Sequence, residues 1–237
     1  CLGPAGSLAA LLLSGYGLKV LAIDRDNHIY SLPIAVTISD QGFRIAQEAS
    51  IDEIYLQNST ELGGAGFVNK DLEFIGGVLD LEGVVTSNGW APSRMFHQPF
   101  TDQAIRNKLQ ETKATVLLGH ELIEIKDNVN YVRVLIKDLE KDNELEFTSK
   151  YLIGSDGGSS SVRKLLNIRQ QDLNYNRDWV VVDVKLKGNN RLDNKALQVC
   201  DPNRICTYIT SHLPFRRWEF IINEGEDKRD FMKEKKI

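Results

Sequence analysis

Two stretches of this 237-residue chain carry residue types whose spacing suits chemistry. The first is Gly3-Pro4-Ala5-Gly6. Glycines there let a backbone turn sharply and approach a pyrophosphate closely. Pro4 suits a first helical turn, where its missing N–H costs nothing. Ser7 to Ser14 is small and apolar, which predicts a helix packed on a sheet. The N-terminus of such a helix offers amides and a positive dipole end to phosphates. Leu18 to Ile23 predicts a short buried strand closing on Asp24, 21 positions after Gly3. An acid at that place can hold a ribose diol, and Arg25 beside it can reach the adenosine or the pyrophosphate. The other reading of the same residues is an αβ turn with ordinary packing glycines. The full fingerprint also asks for a preceding strand and for glycine where Cys1 stands. A side chain there strains a turn that needs positive φ, by about 1 kcal/mol or more.

The second stretch is Gly154-Ser155-Asp156-Gly157-Gly158-Ser159-Ser160-Ser161-Val162-Arg163. Taken alone, Asp156-Gly157 reads as a turn and Ser160 as a helix cap. It also reads as a second nucleotide loop, about 150 residues after the first and beside another apolar run.

The elements that must position these loops follow from periodicity. Helical spacing runs over 39–55 through Phe43, Ile45, Ala46 and Ile51, and a second helix over about 99–113 through Phe100, Ala104, Ile105 and Leu109. The many glycines from Glu61 to Gly89 predict β-hairpins laid over the core. Strands are expected at Thr115–Leu118, Leu122–Ile125, Tyr131–Leu139 and Leu145–Phe147, then a brief buried one at Tyr151–Ile153. Trp179–Leu186, Thr207–Thr210 and Trp218–Ile222 alternate as a sheet does, and the charged tail Lys228–Lys236 reads as frayed or solvated. The pattern is an α/β domain with a second sheet attached: domain one over 1–175 with inserted hairpins, and the start of a β-sheet domain over 176–237.

Composition narrows the classes. A net charge of -4 gives no electrostatic reason to expect nucleic acid or an anionic membrane as partner. Three cysteines, none in a CxxC, cannot all pair, which points to a reduced, cytoplasmic setting. No Cys/His cluster has zinc spacing, so no metal is expected. The run Leu8–Ile23 is too broken for a membrane span.

Taken together, the two loops resemble those of the FAD-dependent aromatic hydroxylases, the para-hydroxybenzoate hydroxylase-like flavoprotein monooxygenases. Met95-Phe96-His97-Gln98-Pro99, Trp179 to Val184, Gln198 to Pro202 and Arg216 to Phe220 resemble the meta-hydroxyphenylpropionate subgroup. The resemblance implies a Rossmann-like FAD-binding domain of the glutathione-reductase type with a partial mixed or antiparallel substrate sheet. It implies FAD as cofactor, NAD(P)H as transient electron donor, and hydroxylation of a small phenolic aryl-alkanoate through a flavin hydroperoxide. By position, Gly3, Pro4, Ala5 and Gly6 would cradle the pyrophosphate and Asp24 the adenosine ribose. Gln98 would donate to the ribityl or phosphate region, and the backbone near Glu121 and Leu122 would border the adenine. Asp156, Gly157 and Arg163 would organise the second loop. Family members usually carry Pro-Arg-Ala where this chain has Pro33-Ile34-Ala35.

The chain reads as cut short at both ends, so weak FAD binding or none is expected of it alone. No catalytic residue is assigned. Two further readings stay open: a catalytically incompetent remnant, or half of a split protein needing a C-terminal partner or a second copy. An NAD-dependent dehydrogenase is disfavoured by the second loop and by the lack of a Tyr-Lys or His pair at dehydrogenase spacing.

Overall fold

In a computed structural model, residues 2–188 and 192–232 are described. Cys1 and residues 233–236 of the charged tail, on which two of the expectations above rest, lie outside the described residues.

Helix α1 (Pro4–Gly15) closes at Gly17, whose φ of 79° accepts the left-handed turn that stops a helix. Strand β1 (Leu21–Asp24) follows, then β2 (Thr37–Ser39). The single helix expected over 39–55 is two, α2 (Asp40–Glu48) and α3 (Asp52–Gln57). Ser50 at φ 56° breaks it, with the Ser50 and Ile51 amides closing back on the Gln47 and Ala46 carbonyls. Periodicity alone does not see such a turn, because Ile51 keeps the apolar spacing across it. Next come β3 (Ser59–Glu61), the hairpin β4 (Gly64–Asn69) and β5 (Phe74–Val78), and β6 (Ser93–Phe96).

Helix α4 (Gln98–Gln110) buries Thr101, Ile105 and Leu109, one stripe at i, i+4, i+8. Phe100, expected on that face, is 50% exposed. Strands β7 (Thr115–Leu118), β8 (His120–Asn128), β9 (Tyr131–Asp138) and β10 (Asn143–Ser149) lead to the short helix α5 (Ser161–Leu165). The buried strand expected at Tyr151–Ile153 does not form. No described strand pairs with those residues, and Tyr151 and Ile153 are 83% and 56% exposed. Strands β11 (Trp179–Lys185), β12 (Lys195–Cys200), β13 (Cys206–Thr210) and β14 (Phe215–Ile221) precede a 3-10 turn at Lys228–Met232. That turn replaces the start of the frayed tail: Arg204 pairs with Glu226 and lies 5.3 Å above the Phe231 ring.

Contacts gather into two compact units that interleave along the sequence. The first holds 1–32, 46–54 and 99–171. It contains the parallel pair β1–β7, in register Leu21 with Thr115, and the antiparallel meander β10-β9-β8. Its core is Leu2, Ala10, Leu11, Ala46, Ile51, Ile105, Leu109, Val134 and Ile136. The second holds 33–45, 55–98 and 172–237. Here a six-stranded mixed sheet runs β11-β14-β13-β12-β4-β5, and a small sheet runs β2-β6-β3. The β4–β5 hairpin is therefore hydrogen-bonded into the later sheet through the parallel pair β4–β12. Phe43, Tyr55, Trp90 and Phe96 form an aromatic cluster beneath the small sheet, with centroids 4.9 to 5.9 Å apart. Among the described residues no helix is long and apolar enough to cross a membrane.

Candidate functional site

In the first unit, the loop before α1 is tied to the end of β1. The Leu2 amide donates to Asp24 Oδ2 at 2.8 Å, and Ser7 Oγ donates to the Leu2 carbonyl at 2.9 Å. The first helical bond runs from the Ser7 amide to the Gly3 carbonyl, so the amides of Ala5 and Gly6 precede the helical ladder. No side chain caps the helix at Gly3. A Cβ built on Gly3 would meet nothing within 4 Å, so the turn borders open space. Gly3 itself sits at φ -70° and has no conformational need to be glycine; what it provides is room.

Asp24 is only 5% exposed and also accepts from the Asp26 amide at 3.1 Å. Arg106 Nη2, from the middle of α4, lies 3.5 Å from the same Oδ2. Arg25 points into solvent with a loose 3.8 Å pairing to Asp26. Leu122 lies in β8 opposite Ile136, a few residues past the end of β7.

The second loop folds around its acid. Asp156 accepts from Ser160 Oγ at 2.5 Å and from the Ser161 and Val162 amides at 2.6 and 3.1 Å, while Ser160 Oγ accepts from the Arg163 amide. Gly157 takes φ 78°, a conformation that favours glycine. Arg163 Nη1 donates to the Gly158 carbonyl at 2.8 Å. Burial opposes ionisation of Asp156. The Ser160 hydroxyl and the Val162 and Ser161 amides outweigh it and hold the carboxyl below the usual carboxylate range. The hydrogen bonds of this acid thus go to the N-terminus of α5.

In the second unit, Gln98 Oε1 accepts two backbone amides, Ile34 at 2.9 Å and Ala35 at 2.7 Å. The carbonyls of the same segment are held by Arg217, whose guanidinium donates to the Pro33 and Ile34 oxygens. Arg217 is 4% exposed and makes a two-pronged pair with Asp183 at 2.8 and 2.9 Å. Residues 33–35 are thereby gripped by their backbone on both sides, and the Ile34 side chain stands 73% exposed. Nearby, His97 stacks on Phe215 with centroids 4.1 Å apart, and His212 Nδ1 meets Thr60 Oγ1 at 3.0 Å. Burial holds the His97 imidazole below the usual histidine range. The Asp183 charge pulls it up, while His212 and Arg217 push it further down.

Of the residues singled out from sequence, Gly3, Pro4, Ala5, Gly6 and Asp24 meet at one loop, and Asp156, Gly157 and Arg163 at another. Gln98 is a backbone clamp in the second unit. Sequence reasoning missed Arg106, Asp183 and Arg217. The available signals were a charged residue beside the apolar stripe of α4, and an aspartate in β11 at the register of an arginine in β14.

The comparisons with known proteins can be set against this geometry. The family model described as "FAD binding domain" matches residues 2–218. The chain belongs to that FAD-binding family. It is similar to the 3-(3-hydroxy-phenyl)propionate/3-hydroxycinnamic acid hydroxylase of Comamonas testosteroni, 30% identical over 94% of this chain and 37% of the relative. The enzyme of the same name from Burkholderia cenocepacia (strain HI2424) is 28% identical over 95% of this chain and 41% of its own length. The chain therefore spans about two fifths of these curated relatives.

Among solved structures, p-nitrophenol 4-monooxygenase PnpA from Pseudomonas putida DLL-E4 superposes with TM-score 0.84 at 16% identity, covering 98% of this chain and 58% of that one. The flavin-dependent monooxygenase PieE, in complex with FAD and substrate, superposes with TM-score 0.79 at 19% identity, covering 95% and 42%. Both likenesses show a fold shared with monooxygenases, one of them flavin-dependent and in complex with FAD. The cofactor is FAD, and the residues present fit its dinucleotide part. An uncapped α1 N-terminus, open space beside Gly3 and a buried acid closing β1 are features that a pyrophosphate and a ribose would use.

Proposed function

We propose that this chain is the FAD-binding portion of an NAD(P)H-dependent monooxygenase that hydroxylates a phenolic aryl-alkanoate. The observation that carries the FAD half of this reading is the uncapped α1 N-terminus locked to Asp24 through the Leu2 amide. The substrate class rests on the names of the curated relatives. When bound, FAD supplies the redox chemistry, taking reducing equivalents from NAD(P)H and passing them to dioxygen.

The work of this chain's residues is binding and orientation. Gly3, Pro4, Ala5 and Gly6 present the helix N-terminus to the pyrophosphate, and Asp24 faces the ribose diol, with Arg25 and the backbone near Leu122 at the adenosine end. Gln98 and Arg217 hold the 33–35 segment, so that Ile34 presents an apolar side chain where relatives carry arginine. Asp156, Gly157 and Arg163 fix the second loop. The remaining expectations fit the same reading: a small aromatic substrate, a cytoplasmic setting, and no nucleic acid, membrane or metal partner.

A second reading has one observation in its favour. The chain spans 37% and 41% of the two curated relatives, so hydroxylation could require sequence that this chain does not hold, as a complementing half or a second copy. The deciding experiment supplies the purified chain with FAD, NADH or NADPH, and 3-(3-hydroxyphenyl)propionate, and assays a dihydroxylated product. Product matched to NAD(P)H consumed supports a self-sufficient monooxygenase. An FAD-loaded chain that yields no product supports the second reading. Failure to take up FAD overturns the self-sufficient reading and favours an incompetent remnant or a half that needs its complement.

A further inference from the structure

Arg106 lies in the middle of α4 and is 6% exposed, which is costly for a charge unless something receives it. Its recorded ion-pair partner is Asp24, at 3.5 Å from Nη2, longer than a close charge-assisted bond. Among the described residues, its Nε is a buried side-chain nitrogen without a hydrogen-bond partner. Asp24 is equally buried, and its Oδ2 already accepts the Leu2 amide from the turn that leads into α1. A buried guanidinium from α4 thus stands beside the acid at the end of β1.

We propose that Arg106 is the positioning residue of the adenosine end of this site. It holds Asp24 in the orientation that presents the carboxylate to a ribose diol while the Leu2 amide holds it from the loop. Lysine keeps the charge but lacks the planar fork, whose fixed geometry holds a carboxylate in one orientation. Methionine of similar length removes the charge and the contact to Asp24 Oδ2 while keeping the side chain's bulk. The inference rests on the FAD reading above, since a ribose must be there to be held.

The test uses the whole chain and titrates FAD and ADP, ADP carrying the adenosine and diphosphate without the flavin. Wild type, Arg106→Met, Arg106→Lys, Asp24→Asn and the double variant Asp24→Asn/Arg106→Met are compared, each with its unfolding midpoint in the absence of ligand. Arg106→Met is expected to weaken FAD and ADP by the same factor, tenfold or more, and Arg106→Lys to recover part of that loss. Once Asp24 is asparagine, removing Arg106 is expected to weaken ADP little further, because Arg106 acts through the acid. A merely structural ion pair lowers the unfolding midpoint without this coupling in ligand affinity.

Folded Arg106→Met with unchanged ADP affinity overturns the proposal, as do fully additive losses in the double variant. If Arg106→Met does not fold, Arg106→Lys decides: a shared loss for FAD and ADP upholds the proposal, and none overturns it. Wild type that binds neither FAD nor ADP sinks the FAD reading itself, a different failure from wild type that binds both while the variants match it.

Discussion

At the scale of single residues, the second unit places titratable groups where their charge is disfavoured. Burial keeps His97 and His212 below the ordinary histidine range, Arg94 adding to the effect at His212. Asp183 opposes it at His97, which leaves burial the larger influence. A histidine that is harder to protonate folded than unfolded takes up a proton on unfolding. Stability is therefore full above about pH 6.5, where both states are neutral. It falls as the pH drops below that value and levels off once the folded pKa is passed. Urea midpoints measured from pH 5 to 8 are expected to rise with pH, and His97→Asn with His212→Asn to flatten the rise. An unchanged slope in that double variant would contradict the burial argument. The same scale shows why Arg217 escaped a sequence reading. Its partners include Asp183, Glu219 and two backbone carbonyls near residue 34, and no local spacing announces the carbonyl bonds, which cross more than 180 positions.

At the scale of elements, most of the fold was legible, for physical reasons. The helix from Gln98, the α1–β1 pair and the meander β8-β9-β10 carry strong periodicity and ordinary turn chemistry. What periodicity could not show was pairing between distant strands. The hairpin β4–β5 reads correctly as a hairpin, yet its place is set by six parallel pairings with β12, from Lys195 with Gly64 to Cys200 with Asn69. The short strands β2, β3 and β6 carry too few residues to alternate visibly. Tyr151–Ile153 has a strand's composition and lacks a neighbour, and composition without pairing makes no strand. Of the site, the α1 loop and Asp24 were readable because fingerprint residues act locally, whereas Arg106 joins only through packing.

The β4–β5 hairpin also gives a direct check on this scale. Gly77 takes φ 128°, and a Cβ there would stand 2.4 Å from the Ala65 carbonyl oxygen. Gly77→Ala is expected to lower the unfolding free energy by about 1–3 kcal/mol, from strained backbone and a clash with an unyielding atom. Chemical denaturation reads it. A stability equal to wild type would show that β5 can leave β4 without consequence.

For the whole molecule, the proposed function draws differently on the two units. The first offers a helix N-terminus and a buried acid–arginine pair, which on the proposed reading receive an adenine dinucleotide. The second offers a backbone segment clamped by Gln98 and Arg217, and a broad mixed sheet. With so few charged groups at the α1 loop, the proposed binding there depends on amides and one carboxylate rather than on a cationic patch. FAD affinity is therefore expected to vary little with salt.

The most direct test of this account is a titration of the purified chain with FAD, followed by flavin fluorescence and then by competition with ADP. Saturable binding at one FAD per chain, reversed by ADP, is the expected result. It would place the dinucleotide on the α1 loop even if the affinity is weak. No saturable uptake, or uptake that ADP leaves untouched, would contradict the account at its centre.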